Sequence, residues 1–125
     1  MGDKEFEILV EKALNELPEE FKKLTENIVI VTANWPSSAQ IQKLKLSNKQ
    51  ILLLGLYEGI PKIKRRGYGI GGQLPDKITI FKMPVLMVAR GPDEIERVVK
   101  DTVIHEIAHH FGLSDEEIHK AKRKY

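Results

Sequence analysis

The segment His105-Glu106-Ile107-Ala108-His109-His110-Phe111-Gly112-Leu113-Ser114-Asp115 decides how the rest of this 125-residue chain is read. It contains H-E-x-x-H, extended to H-E-x-x-H-x-x-G-x-x-D. Residues on an α-helix advance by about 100°, so His105 and His109 project from one face, a turn apart. Two imidazoles placed this way can grip one zinc ion, with Glu106 beside them to take a proton from a metal-activated water. Chance produces H-E-x-x-H in roughly one of a few hundred chains of this length, and Gly112 and Asp115 in register lower that by about two orders of magnitude. A metal site is therefore the expectation.

The flanks fit a helix. Gly91-Pro92-Asp93-Glu94 reads as its start, with proline at the first position and acids in the first turn. Gly112 reads as its stop, because glycine accepts the left-handed conformation that ends helices. The spacing predicts a helix over Pro92 to Phe111. Ile104, Ile107, Ala108 and Phe111 form an apolar stripe away from the two histidines, so one side is expected in the core and the other in a cleft.

Length and composition predict one domain over residues 1–125, with 42% hydrophobic and 30% charged residues. Without cysteine, any zinc must be held by histidine and carboxylate. Met1 to Glu5 is polar and acidic, unlike a secretory leader, and the longest apolar run, Ile51 to Tyr57, is too short to span a bilayer. A cytoplasmic protein without a membrane partner is the expectation. A net charge of only +2 disfavours a dedicated nucleic-acid binder.

Working back to the start, Asp3 to Leu17 carries Phe6, Leu9, Val10, Ala13, Leu14 and Leu17 at helical spacing, and Pro18 ends that helix. Glu19 to Leu24 adds a short turn. Asn27 to Thr32 predicts a buried strand, and Asn34 to Ser38 a break. Trp35 is expected as partial core. Ser38 to Leu46 reads as a short helix. Gln50 to Tyr57 predicts a second, fully buried strand, in which Gly55 marks a bulge or a close backbone approach.

Glu58 to Pro75 is rich in glycine and carries Lys62, Lys64, Arg65 and Arg66. Its G-x-G-x-x-G (Gly67, Gly69, Gly72) is rejected as a dinucleotide fingerprint, because no strand precedes it and no helix follows. A solvated loop is expected. The alternatives are an active-site lid, or a nucleic-acid contact through Arg65, Arg66 and Tyr68. Asp76 to Lys82 alternates polar and apolar residues, with Lys77 and Thr79 outward, and suits a sheet edge guarded by lysine. Met83 and Met87 are expected as core filler. Val85 to Arg90 is open between a helical turn and extended packing. Ser114 to Glu117 is a capping-box pattern that starts a last helix, Asp115 to Lys124.

The residues His105-Glu106-x-x-His109-x-x-Gly112-x-x-Asp115 resemble the zincin metallopeptidases. Within these, V-I-H-E-I-A-H-H-F-G-L-S-D is similar to a family of short prokaryotic proteins, the minimal zincin-like metallopeptidases. The similarity is closest over Pro75 to Glu117 and reaches back to L-L-G-L-Y-E-G-I-P. It implies a small α+β (α/β) fold, a mostly buried three-stranded sheet packed against an N-terminal helix and an active-site helix. It also implies His105, His109 and Asp115 as zinc ligands and Glu106 as general base. The activity implied is hydrolysis of peptide or protein substrates by metal-activated water. His119, Glu116 and Glu117 are the substitutes for Asp115. No methionine follows Met87, a departure from the methionine-containing turn of the metzincins.

By resemblance to other zincins, the edge of the strand at Ile78 to Phe81 is expected to hold an extended peptide by main-chain pairing. Tyr68, Arg90 and His110 are the candidates for stabilising an oxyanion. Since His110 lies roughly 140° from His105, it is expected as a supporting hydrogen-bond donor or a packed histidine. The competing function is a metal-stabilised structural or interaction module without turnover.

Overall fold

The site-bearing helix is predicted to bury one stripe, and the structure, a computed structural model describing residues 1–45, 53–59, 75–112 and 116, shows what that stripe packs on. In chain order the elements are α1 (Asp3–Asn15), α2 (Glu19–Thr25), β1 (Ile28–Ala33), α3 (Ser38–Lys45), β2 (Gly55–Glu58), β3 (Asp76–Phe81), α4 (Lys82–Val88) and α5 (Gly91–His110). The described residues thus form a small α+β fold.

Helix α1 buries Phe6, Val10 and Ala13, and Leu17 continues its stripe. That stripe meets Ile95, Val99, Val103, Ile104, Ile107 and Ala108 of α5, with Phe21 of α2 and Ile78 and Ile80 of β3 in the same core. Burying one such aliphatic or aromatic side chain contributes about 1.5–3 kcal/mol, so this cluster is the main cohesive term. Pro18 ends α1 as expected and caps α2. A reciprocal box starts α3: the Gln40 N–H donates to Ser37 Oγ (3.2 Å), and the Ser37 N–H donates to Gln40 Oε1 (2.8 Å). Pro84 sits in the first turn of α4, where its missing N–H removes no helical bond.

The sheet order is β1-β3-β2. β1 runs parallel to β3, pairing Ile28 with Asp76 through Ala33 with Phe81. β2 runs antiparallel to β3, pairing Gly55 with Ile80 and Glu58 with Lys77. The three-stranded sheet and its two packed helices match the expected architecture.

Several local expectations are overturned. β3 is the central strand, so its edges are taken by β1 and β2 and it cannot hold a peptide by main-chain pairing. Thr79, predicted outward, is buried along with Ile78, Ile80 and Phe81. Lys82 is no edge guard: it opens α4, is itself buried, and its Nζ lies 2.8 Å from Asp3 Oδ1. β1, predicted buried, is an edge of the described sheet and is only half-buried, with Val29 exposed. Trp35 and Met87, expected in or near the core, are 53% and 64% exposed. The stretch from Val85 resolves as helix through Val88.

The second strand starts at Gly55, and Gln50 to Leu52 lie outside the described residues. So do residues 60–74, with Tyr68, the basic run and the G-x-G-x-x-G, and all of Asp115 to Lys124 except Glu116, which is helical. No helix among the described residues is long and apolar enough to cross a membrane.

Candidate active site

Helix α5 presents His105 and His109 together. Their ring centroids are 6.0 Å apart and their planes cross at 73°. Two imidazoles bound to one tetrahedral zinc through bonds of about 2.0–2.1 Å would have centroids roughly 5 Å apart, so a small side-chain adjustment brings them onto one ion. His105 Nδ1 lies 2.9 Å from the Asp101 carbonyl oxygen. A carbonyl only accepts, so Nδ1 carries the proton and the lone pair falls on Nε2. This second hydrogen bond is the one that metal-binding histidines use to fix their tautomer. These two imidazoles therefore suit a shared zinc ion, which needs at least one further protein ligand.

The opposite stripe holds the helix in register. Ile104, Ile107 and Ala108 are fully buried, as predicted, whereas Phe111 is 50% exposed and caps the helix end. Gly112 follows at φ +71°, the left-handed stop predicted for it. His109 is exposed and His105 half-buried, so the imidazole face opens to solvent.

Glu106 lies about 60° beyond His109 in azimuth, on the side of α5 that meets β2. Its Oε1 accepts the main-chain N–H of Tyr57 at 2.9 Å. Burial pushes its carboxyl above the ordinary carboxylate range, while the Tyr57 N–H and the charges of His109 and His105 pull it back. A carboxylate raised by burial is a stronger base, as proton transfer near neutral pH requires.

Tyr57 was read from sequence only as part of a strand, yet it joins three elements. Its hydroxyl donates to Asp76 Oδ2 at 2.7 Å. Its ring stacks on His110, with centroids 4.0 Å apart and planes at 14°. His110 Nε2 lies 3.8 Å from the same Asp76 oxygen. His110 thus turns to β2, away from the His105/His109 pair, as its azimuth required. No sequence signal marks Tyr57, since a main-chain donor leaves none; Asp76 was legible only as the first residue of a strand.

Of the other expected site residues, Asp115, His119 and Glu117 lie outside the described residues, and Glu116 is exposed. Among the described residues, no set of three or more His, Asp or Glu is arranged to hold a metal. Arg90 caps the far end of α5, about 22 Å of helix from His105, and is excluded as an oxyanion partner.

A short sheet laid on a helix that carries H-E-x-x-H defines the zincin class of metallopeptidase-like domains. A sequence model of the family described as zincin-like metallopeptidase matches residues 25–125, and the chain belongs to that family. Among solved structures, the fold is similar to that of a conserved hypothetical protein from Thermo thermophilus. That match has TM-score 0.52 and 23% identity, and it covers 89% of this chain and 94% of the other. At that identity the likeness is one of fold. No curated protein matches the chain.

Proposed function

We propose that this protein is a zinc-dependent peptidase in which His105, His109 and Asp115 hold the metal and Glu106 handles the proton. The observation that carries this is the joint placement of the two imidazoles and the Glu106 carboxylate, the latter steadied by the Tyr57 N–H. Zinc, when bound, supplies Lewis acidity and lowers the pKa of water toward about 7. Glu106 takes the proton from the attacking water and returns it to the leaving amine. The substrate class proposed is a peptide or protein, and the location cytoplasmic.

The test is elemental analysis of the purified protein together with hydrolysis of a peptide library. The expected result is about one zinc per chain, lost in His105→Ala and His109→Ala. Glu106→Gln should keep its zinc and lose hydrolysis. Zinc binding without hydrolysis of any peptide would leave a metal-stabilised module, and hydrolysis that survives Glu106→Gln would refute the role given to Glu106.

A further inference from the structure

We infer that Tyr57 positions the Glu106 carboxylate, through its main-chain N–H, and that a clasp made by its side chain with Asp76 and His110 keeps that N–H in place. The inference rests on the peptidase reading above, in which Glu106 handles the proton. It adds a residue that the H-E-x-x-H motif does not contain.

Three contacts converge on Tyr57. The first is the N–H donated to Glu106 Oε1 at 2.9 Å. A glutamate has three side-chain torsions to fix, and one bond from a main-chain donor engages Oε1 while Oε2 can serve the reacting water. The second is the stack on His110. His110 follows Glu106 by four residues, so the two share one side of α5 a turn apart. Tyr57 therefore holds two successive positions of one helix side, Glu106 by its backbone and His110 by its ring. The third is the hydroxyl bond to Asp76, 2.7 Å long. Tyr57 pairs with Ile78 across the sheet, which puts Asp76 two residues along β3, on the same face as a diagonal neighbour.

The clasp matters because β2 is only four residues long and Tyr57 lies next to its end. A short strand at a sheet edge frays, and its main-chain donors move with it. Anchoring Tyr57 to β3 by the hydroxyl and to α5 by the ring fixes the N–H against both. Proton transfer needs the carboxylate placed to about 0.5 Å, and a donor anchored this way supplies that placement.

The experiment loads the protein with cobalt(II) and titrates it with acetohydroxamate, following the visible absorption of the metal. A hydroxamate bound at such a metal also hydrogen-bonds to a correctly placed glutamate, so its affinity reads the position of Glu106 without any turnover. Metal affinity is measured separately by chelator competition. Tyr57→Ala is expected to weaken acetohydroxamate about tenfold, and Tyr57→Phe and Asp76→Asn less, with cobalt affinity changed by no more than about twofold. In a Glu106→Gln background, Tyr57→Ala should add nothing, because its effect runs through Glu106. If Tyr57→Ala fails to fold, Tyr57→Phe and Asp76→Asn, which keep the ring, carry the same comparison. Unchanged hydroxamate affinity in these variants, or an equal loss with and without Glu106, overturns the inference alone. Wild-type protein that takes up no cobalt, or whose hydroxamate affinity ignores Glu106→Gln, overturns the peptidase reading and this inference with it.

Discussion

Gly55 and Thr102 sit so close that a Cβ added to Gly55 would lie 2.6 Å from Thr102 Cγ2. The Thr102 hydroxyl donates to the Val98 carbonyl at 2.7 Å, which locks the rotamer and leaves the methyl nowhere to go. The Thr79 carbonyl oxygen, 3.2 Å from the same point, closes the other side. Gly55→Ala should therefore destabilise the fold by about 1–3 kcal/mol, the usual range for overpacking. Thr102→Ser removes the colliding methyl and keeps the hydroxyl bond, so the double variant should recover part of that loss. Urea denaturation of the four proteins measures both effects. Equal stability of Gly55→Ala and wild type would contradict the contact.

Glu16 and Glu96 form a second close relationship, between α1 and α5. The Glu96 carboxyl is raised, first by its hydrogen bond to Glu16, then by burial and the charge of Glu16. Glu16 is lowered, chiefly by the same hydrogen bond and also by Lys100. Lys12 and Lys100 flank the pair, 3.6 Å from Glu96 and 3.4 Å from Glu16. A raised folded value means that the Glu96 contribution is fully present below its unfolded value and is lost as pH rises through the folded one. A lowered value means that the Glu16 contribution is present above its unfolded value and is lost as pH falls through the folded one. The pair is most stabilising between the two folded values, with one proton shared. Above the folded values of both, the two carboxylates face each other with no proton between them, so Glu96→Gln should raise Tm there by a few degrees. The gain should vanish in acid, and melting curves across pH 3 to 8 would show it.

Lys82 and Asp3 allow a cycle. The Lys82 ammonium is buried and lies 2.8 Å from Asp3 Oδ1. Asp3→Ala leaves a buried cation without that counter-charge and should cost about 1 kcal/mol. Lys82→Met removes the charge together with its need for a partner and should be close to neutral. In the Lys82→Met background, Asp3→Ala should then cost nothing. Chemical denaturation at low and high salt reads the coupling, and an undiminished loss in the double variant would show that the pair is not coupled.

Asp115 tests the third ligand. Asp115→Ala should weaken zinc binding by at least about tenfold, as loss of one ligand or its support does, and Glu116→Ala should leave it unchanged. Competition against a fluorescent chelator distinguishes them. The reverse ordering would move the ligand to Glu116.

The helices and the zinc-binding motif were legible because their signals are local. Phe6, Val10, Ala13 and Leu17 repeat at helical spacing, and Pro92 and Gly112 punctuate the segment that carries His105 and His109. The close approach at Gly55 was one of the two readings its sequence context allowed. The strand order was not legible. Asp76 to Phe81 alternates like a half-exposed edge, and only pairing with residues far away in the chain makes it central and buries Thr79. Lys82 misled for a related reason: its partner, Asp3, belongs to the opposite end of the sequence. Tyr57 escaped notice because its bond to Glu106 uses a group that every residue except proline owns.

The sheet places its last-made strand in the middle. β1 and β2 each bond to β3 in the described sheet, so during synthesis both leave the ribosome before the strand that joins them exists. Neither can complete its hydrogen-bond ladder until Asp76 to Phe81 has emerged, and loop closure of that length slows the final step. In the meantime Ile28 to Ala33, which carries no charge, stands as an uncovered β-forming segment. A nascent chain stalled within that interval would be a natural client for chaperones that shield such segments.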